Sequence, residues 1–224
     1  MKIEFVEIQN FRKLKSCRID FSAKSTIFVG ANNSGKTSAM DALILLLKQS
    51  RRNEITINDI TLSNWHNINI IGTTWLECDK PEELTLGIEQ WQPILPSLDL
   101  WLNIDNSEIH YVSHLIPTLS WTGGRLGVRL CFEPKDVEGL YKEFKKEFDS
   151  AAETVSRNKK SSESKLLLWP QSLKEFLKER FHHHFTVKAH LLDPAKLVDT
   201  VDGVAEPQIL TKDSVALDSE PFKG

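Results

Sequence analysis

Gly30-Ala31-Asn32-Asn33-Ser34-Gly35-Lys36-Thr37 sets two glycines, a lysine and a hydroxyl residue in the spacing GxxxxGK[ST]. Glycines at both ends of a short loop let the backbone curl around a phosphate chain with no side chain in the way. Successive amide N–H groups then point inward as an anion nest. A helix beginning at the end of the loop adds the positive end of its dipole. In this pattern Lys36 reaches the β- and γ-phosphates of a nucleoside triphosphate, where its charge offsets what develops as the γ-phosphoryl leaves. The Thr37 hydroxyl takes one coordination position of Mg²⁺, and Ser38 stands near the α-phosphate. The expected cofactors are therefore a nucleoside triphosphate and Mg²⁺, with Lys36 as the catalytic cation.

Such a loop must lie between a strand and a helix. The sequence predicts three short strands ahead of it, at Ile3 to Ile8, Cys17 to Phe21 and Thr26 to Val29, the last ending at Gly30. After Gly35 the spacing becomes helical, with Met40, Leu43, Ile44 and Leu47 on one stripe. Residues 53 to 97 mix apolar and polar types without a clean period and read as loops and short strands. Leu98 to Ile104 and Leu126 to Phe132 alternate as half-buried strands, expected to be antiparallel neighbours.

Val137, Leu140, Tyr141, Phe144 and Phe148 mark one face of a helix running from about Pro134 to Arg157. The stretch Asn158 to Ser164 reads as a polar linker. A second helix follows, with Ser172 and Glu175 in capping-box spacing, and the two resemble an inserted hairpin. Phe185 to Leu191 returns to strand alternation before a loop-rich tail punctuated by Pro194, Gly203, Pro207 and Pro221. The expected division is an N-terminal lobe with the glycine loop over 1–133, a helical insertion over 134–184, and a return strand and tail over 185–224.

The composition, with 40% hydrophobic and 26% charged residues among 224, is that of a globular protein. A formal charge of −3 provides no global basic field, so contact with nucleic acid must come from a local patch or another chain. Cys17, Cys78 and Cys131 form no CxxC pair, which argues against a disulfide framework or zinc module and fits a reducing cytoplasm. The longest apolar run, Ala42 to Leu47, is too short to span a bilayer, so no membrane association is expected.

Three segments together carry a resemblance: Ile8-Gln9-Asn10-Phe11-Arg12-Lys13-Leu14, Ile19-Asp20-Phe21, and Ile27 through Ser38 followed by Leu43-Ile44-Leu45-Leu46. They resemble the opening of the SMC, RecF and OLD ATPases, in which an N-terminal ribbon ending in Asn-Phe-Arg leads to a G-x-N-x-S-G-K-[ST] loop. The Asn-Asn-Ser variant is most like the OLD-nuclease group, many of whose members serve bacterial antiphage systems. The specific part covers about the first fifty residues. The resemblance implies an α/β P-loop NTPase lobe of ABC/SMC type, with an antiparallel β portion and a helical insertion, incomplete at the C-terminus. It implies an ATP hydrolase that binds ATP and dimerises or forms a higher homo-oligomer, reaches DNA through the full-length protein, and has a possible partner protein in a defence system. It also implies that Arg12 approaches the nucleotide phosphates; read from the residues alone, Arg12 is equally a solvated turn arginine. Two alternatives stand beside it: a non-hydrolysing ATP sensor or assembly module, and a DNA-repair ATPase of RecF or SMC type.

An ABC-type ATPase also needs an apolar strand ending in Asp-Glu, and His190-Leu191-Leu192-Asp193 is followed by Pro194 instead of an acid. Leu119-Ser120-Trp121-Thr122-Gly123-Gly124 faintly resembles a signature loop but reads better as a hairpin turn at Gly123-Gly124. Gln90 and Gln92 are weak candidates for a Q-loop glutamine. The chain closes in the loop Asp218 to Gly224, and the expectation is a fragment whose catalytic completion lies in other sequence. His182-His183-His184 reads as a cationic helix C-terminus with a metal site as the lesser alternative, because neighbours on an extended chain point to opposite faces and do not easily converge on one ion without further ligands. The lysines at 142, 145, 146, 159, 160 and 165 alternate with glutamates as an ordinary solvated face. The six tryptophans share no spacing and read as packing residues.

Overall fold

The structure, a computed structural model, describes residues 1–78, 80, 82, 84–116, 121–158, 169–198, 207–210, 214 and 216–217. Most of the linker at Asn158 to Ser164, the Leu119-Ser120 pair, Lys165, Gly203 and the tail from Asp218 lie outside the described residues. The chain forms two compact units. One comprises Met1–Thr61, Leu95–Phe132 and Val187–Gly224; the other comprises Leu62–Ile94 and Glu133–Thr186. The helical unit therefore draws on residues 62–94 as well as on the stretch set apart in the sequence at 134–184. Among the described residues no helix is long and apolar enough to cross a membrane.

The first unit is built on an antiparallel ribbon, β1 (Lys2–Phe11) and β2 (Leu14–Asp20), joined at the Arg12-Lys13 turn; Asn10, near the end of β1, and Arg12 take φ of 54° and 50°. Helix α1 (Lys36–Leu47) follows the glycine loop, and β3 (Ser97–Ile104) pairs with β1 on one side and β4 (Gly124–Pro134) on the other, both antiparallel. Strand β5 (Phe185–Leu192) and the short β6 (Ala216–Leu217) complete the order β2-β1-β3-β4-β5-β6.

The predicted strand at Thr26 to Val29 does not form. Its residues are β-formers, but strand structure needs a neighbouring ladder, and this segment pairs with no strand among the described residues. Ile27 and Val29 are consequently 79% and 88% exposed. The predicted stripe on α1 is also displaced. Ala39, Ala42, Leu45 and Leu46 are buried, whereas Met40 and Ile44 are exposed. From Ala42 to Leu47 this helix is apolar on every side, so spacing alone could not select the packed face. Gly123 and Gly124 have φ of 106° and 108° but open β4 rather than forming a tight turn; the connection from β3 runs through Asp105 and a 3-10 segment at Asn106–Leu115.

The alternation in β3 and β4 predicted one solvated face, yet both faces are buried. Phe5, Trp101, Leu192 and Leu210 form one cluster on the face that was expected to be wet. Gly127 lets Trp101 and Leu192 approach: a Cβ there would come within 2.5 Å of the indole. The polar residues of that face are enclosed too. Strand register aligns Arg18, Glu7, Asp99 and Arg129 across β2, β1, β3 and β4, and the last three are each under 7% exposed. Arg129 donates from Nε and Nη2 to the two Asp99 carboxylate oxygens, each at 2.6 Å, and from Nη1 to the Gln208 carbonyl at 2.7 Å. Asp99 thereby neutralises Arg129, and a second charge on Glu7 has no full partner.

Burial, reinforced by the Asp99 carboxylate, pushes the Glu7 carboxyl from about 4.5 up to about 7, with Arg18 and Arg129 offsetting part of the effect. The folded state thus holds the Glu7 proton more tightly than the unfolded chain does. Its contribution to stability is complete below about pH 4.5 and is lost as pH rises through about 7, a change of about 3 kcal/mol. Denaturant unfolding should accordingly give falling stability from pH 5 to pH 8 for the native sequence and a flatter profile for Glu7→Gln. Parallel profiles for the two would remove Glu7 as the source.

The second unit contains α2 (Asn64–Glu77), α3 (Val137–Asn158) and α4 (Leu173–His184). Within the stretch 53–97, read as loops and short strands, α2 occupies Asn64–Glu77, while the described residues around it are mostly irregular or 3-10 turns. Trp65, Ile68, Ile71, Gly72 and Trp75 do follow helical spacing and are buried, although asparagines and β-branched residues between them hide the period. Trp75 packs edge-on to Tyr141 and tilted to Phe144 of α3, and Phe144 meets Phe176 of α4. Ser172 Oγ accepts from the Glu175 amide at 3.2 Å, while Glu175 Oε2 accepts from the Gln171 amide rather than from that of Ser172. Half of the predicted capping box is thus present, its second arm shifted by one residue.

Candidate functional site

The loop between Val29 and α1 is folded into a closed curl. Ser34 donates its amide to the Ala31 carbonyl at 3.3 Å, and Asn33 and Gly35 take φ of 70° and 94°. Asparagine tolerates this left-handed region and glycine enters it without strain. A side chain at either motif glycine would also displace a neighbouring side-chain end. A Cβ on Gly30 would stand 2.8 Å from Ser34 Oγ, and one on Gly35 would stand 2.9 Å from Leu14 Cδ2. Gly35 caps α1, so the first amides of the helix open directly from the curl.

Lys36 is turned into the loop. Its ammonium donates to the carbonyls of Gly30 and Ala31 at 2.6 and 2.7 Å and to Ser34 Oγ at 3.3 Å. All three donors of the cation are therefore directed at loop oxygens. Thr37 and Ser38 occupy the first turn of α1, Thr37 exposed and Ser38 partly so, and Asn32 is exposed on the loop. A cavity of about 400 Å³ adjoins the loop, lined by Leu14, Cys17 and Ile19 of the ribbon, Phe28, Lys36 and Ala39. That volume lies within the range of small-molecule sites.

Arg12, which the resemblance places at the phosphates, lies with its guanidinium between two carboxylates. Nε donates to Asp59 Oδ1 at 2.7 Å and Nη1 to Asp41 Oδ2 of α1. Its amide also donates to the Asp59 carbonyl at 2.8 Å. Asp59 in turn accepts from the Thr56 amide at 2.7 Å and closes a capping box over the 3-10 turn Ile57–Asp59. The turn of the ribbon is thereby fastened to the helix that begins at Lys36. Next to it, Lys13 donates to Asn33 Oδ1 and so places a second cation on the rim of the loop. Sequence reading missed Lys13, Asp41 and Asp59. The Thr56-x-x-Asp59 spacing signals the capping box, but nothing local pairs Asp59 with Arg12.

The remaining sequence candidates are elsewhere. Asp193 caps the turn Pro194–Lys196 by accepting from the Ala195 amide at 2.9 Å. Gln90 donates to the Thr85 carbonyl within the second unit.

The model of the AAA ATPase domain family matches residues 1–219. The chain belongs to the AAA ATPase domain family. An ATPase-domain fold is what the glycine loop, the antiparallel portion and the helical insertion together compose. This AAA ATPase domain is also similar to two proteins named as the DNA replication and repair protein RecF. It is 36% identical to that of Lactococcus lactis subsp. lactis over 66 residues, 29% of this chain and 18% of the relative. It is 46% identical to that of Vibrio campbellii over 46 residues, 20% of this chain and 13% of the relative. The matched stretches thus span less than a fifth of these relatives. A solved structure described under "ATP-driven dimerization and DNA stimulated activation of SMC ATPases" aligns over 61% of this chain and 66% of its own, at 18% identity and a TM-score of 0.33.

Proposed function

We propose that this ATPase domain binds ATP with Mg²⁺ at the Gly30–Thr37 curl and hydrolyses it as part of a DNA-acting machine. The observation that carries the reading is the Lys36 ammonium lying inside a backbone curl that turns through Gly35 at φ of 94°, a conformation glycine enters without strain. The residues fit the group they would hold. Loop amides and the start of α1 supply donors for a phosphate chain, and Lys36 supplies a positive charge directed into it, with Lys13 on the rim. Bound ATP supplies the phosphoanhydride bond, and Mg²⁺ the Lewis acid that neutralises its oxygens.

Within the chain, Lys36 exchanges its carbonyl partners for phosphate oxygens, Thr37 offers its hydroxyl to the metal, and Gly30, Asn32, Asn33, Ser34, Gly35 and Ser38 shape and line the phosphate site. Arg12 acts in two ways: through Asp41 it holds α1 in register with the ribbon, and beside Lys13 it brings positive charge to the loop. Arg12→Ala is therefore expected to weaken ATP binding about tenfold, the worth of one charge-assisted hydrogen bond. An affinity equal to that of the native sequence, measured by titration of the folded variant, would assign Arg12 to the clamp alone.

For the biological setting, the proposal is an OLD-like nuclease system of antiphage defence, with a RecF- or SMC-type repair ATPase as the second reading. The Asn-Asn-Ser loop supports the first, and the local identity to RecF proteins supports the second. Both readings include a homo-oligomer formed around ATP, DNA contact through the whole protein, and a cytoplasmic location. A non-hydrolysing sensor is favoured by one observation: Asp193, the nearest candidate for a metal-binding acid at a strand end, is engaged as a turn cap. Single-turnover phosphate release with and without DNA separates them. Release that DNA accelerates supports the DNA-acting ATPase, and none under any condition supports the sensor.

A further inference from the structure

The histidines at the end of α4 do converge, contrary to the expectation from an extended chain. A break at Arg180, with φ of −113°, turns the last residues of the helix so that His183 and His184 both face Glu143 of α3. His183 Nε2 lies 3.6 Å and His184 Nε2 3.2 Å from Glu143 Oε2, and the three ligand atoms are all within 4.8 Å of one another. The two imidazoles meet edge to face, with centroids 4.8 Å apart.

We propose that Glu143, His183 and His184 form a binding site for a divalent transition-metal ion of the zinc class. Two imidazoles and a carboxylate are the donor set such ions take, with the fourth position left to water or an external ligand. Ligands 2.0–2.1 Å from a tetrahedral ion stand about 3.3 Å apart, close to the two separations measured to Glu143. Only the histidine pair must draw together, and the His183 side chain, 66% exposed, has room to turn.

A second feature points to a ligand at this site. His184 is 7% exposed, and its Nε2 is buried with no hydrogen-bond partner of acceptable geometry, although Glu143 is near. Orphaned buried nitrogens are rare, and a metal ion would satisfy this one. The backbone beneath the site is already fixed. Lys135 donates its amide to the His184 carbonyl at 2.7 Å and its ammonium to the carbonyls of His182 and His183 at 2.9 and 3.0 Å. Arg180, 3.9 Å from Glu143 Oε1, is the cation that shares this carboxylate and would compete weakly with the ion. A bound ion would fasten α3 to α4 within the helical unit.

The test titrates the full chain with zinc chloride by calorimetry, and with cobalt chloride to read coordination from the visible spectrum. The expected result is one equivalent bound, a tetrahedral cobalt spectrum without a thiolate charge-transfer band, and a rise in melting temperature with zinc. His183→Gln, at an exposed position, and Glu143→Gln, of equal volume, should each weaken binding at least tenfold while keeping the native circular dichroism. Absence of saturable binding, unchanged affinity in both folded variants, or a thiolate band from Cys17, Cys78 or Cys131 would each overturn the proposal.

Discussion

Lys36→Ala is expected to lower ATP affinity at least a hundredfold while leaving the fold intact. Among the described residues the Lys36 ammonium is the cation directed into the curl, with Lys13 on its rim, and removing it forfeits charge-assisted hydrogen bonds worth about 1.5–3 kcal/mol each. Its present partners are loop carbonyls and a serine hydroxyl at the surface, so truncation leaves no buried charge behind. Thermal unfolding should change little, by about 0.5 kcal/mol at most. Titration with ATP and Mg²⁺ decides the point, and native affinity in the variant would remove Lys36 from the site.

The second large effect concerns the charge row across the sheet. Asp99→Asn leaves Arg129, 6% exposed, without the carboxylate that accepts two of its hydrogen bonds. Breaking a buried pair from one side costs about 3–5 kcal/mol. Here the loss should fall toward the lower end, because Glu7 stands in register with Asp99 and can ionise once its neighbour's repulsion is gone. That reserve is removed in Glu7→Gln/Asp99→Asn. Denaturant unfolding at pH 7 should therefore show the double variant destabilised by more than the sum of the two single effects. Simple additivity, or a loss below about 1 kcal/mol for Asp99→Asn, would refute this account of the row.

These two cases also mark what a sequence discloses. The Lys36 loop was legible because its requirements are local: two glycines, a lysine and a threonine at fixed spacing specify the curl before any tertiary contact forms. Helices α3 and α4 were legible for a similar reason, since each combines a charged face with widely spaced aromatics and the Ser172 cap lies beside its own helix. The half-burial read for β3 and β4 would leave Asp99 and Arg129 in solvent, because alternation reveals which residues share a face but not what covers it. The cover comes from Leu192 and Leu210, distant in the chain. Arg12 with Asp59, and His183 and His184 with Glu143, escaped notice for the same cause: each pairing depends on how separate elements pack. Thr26 to Val29 failed in the opposite direction, since its composition favours a strand but a strand also needs a partner.

The most direct test of the central claim is a crystal structure of the chain with Mg²⁺ and a non-hydrolysable ATP analogue. The account predicts a triphosphate within the curl from Gly30 to Thr37, with the Lys36 ammonium withdrawn from the Gly30 and Ala31 carbonyls and placed on the terminal phosphates. Nucleotide bound elsewhere, or Lys36 still on those carbonyls at saturating ligand, would contradict it.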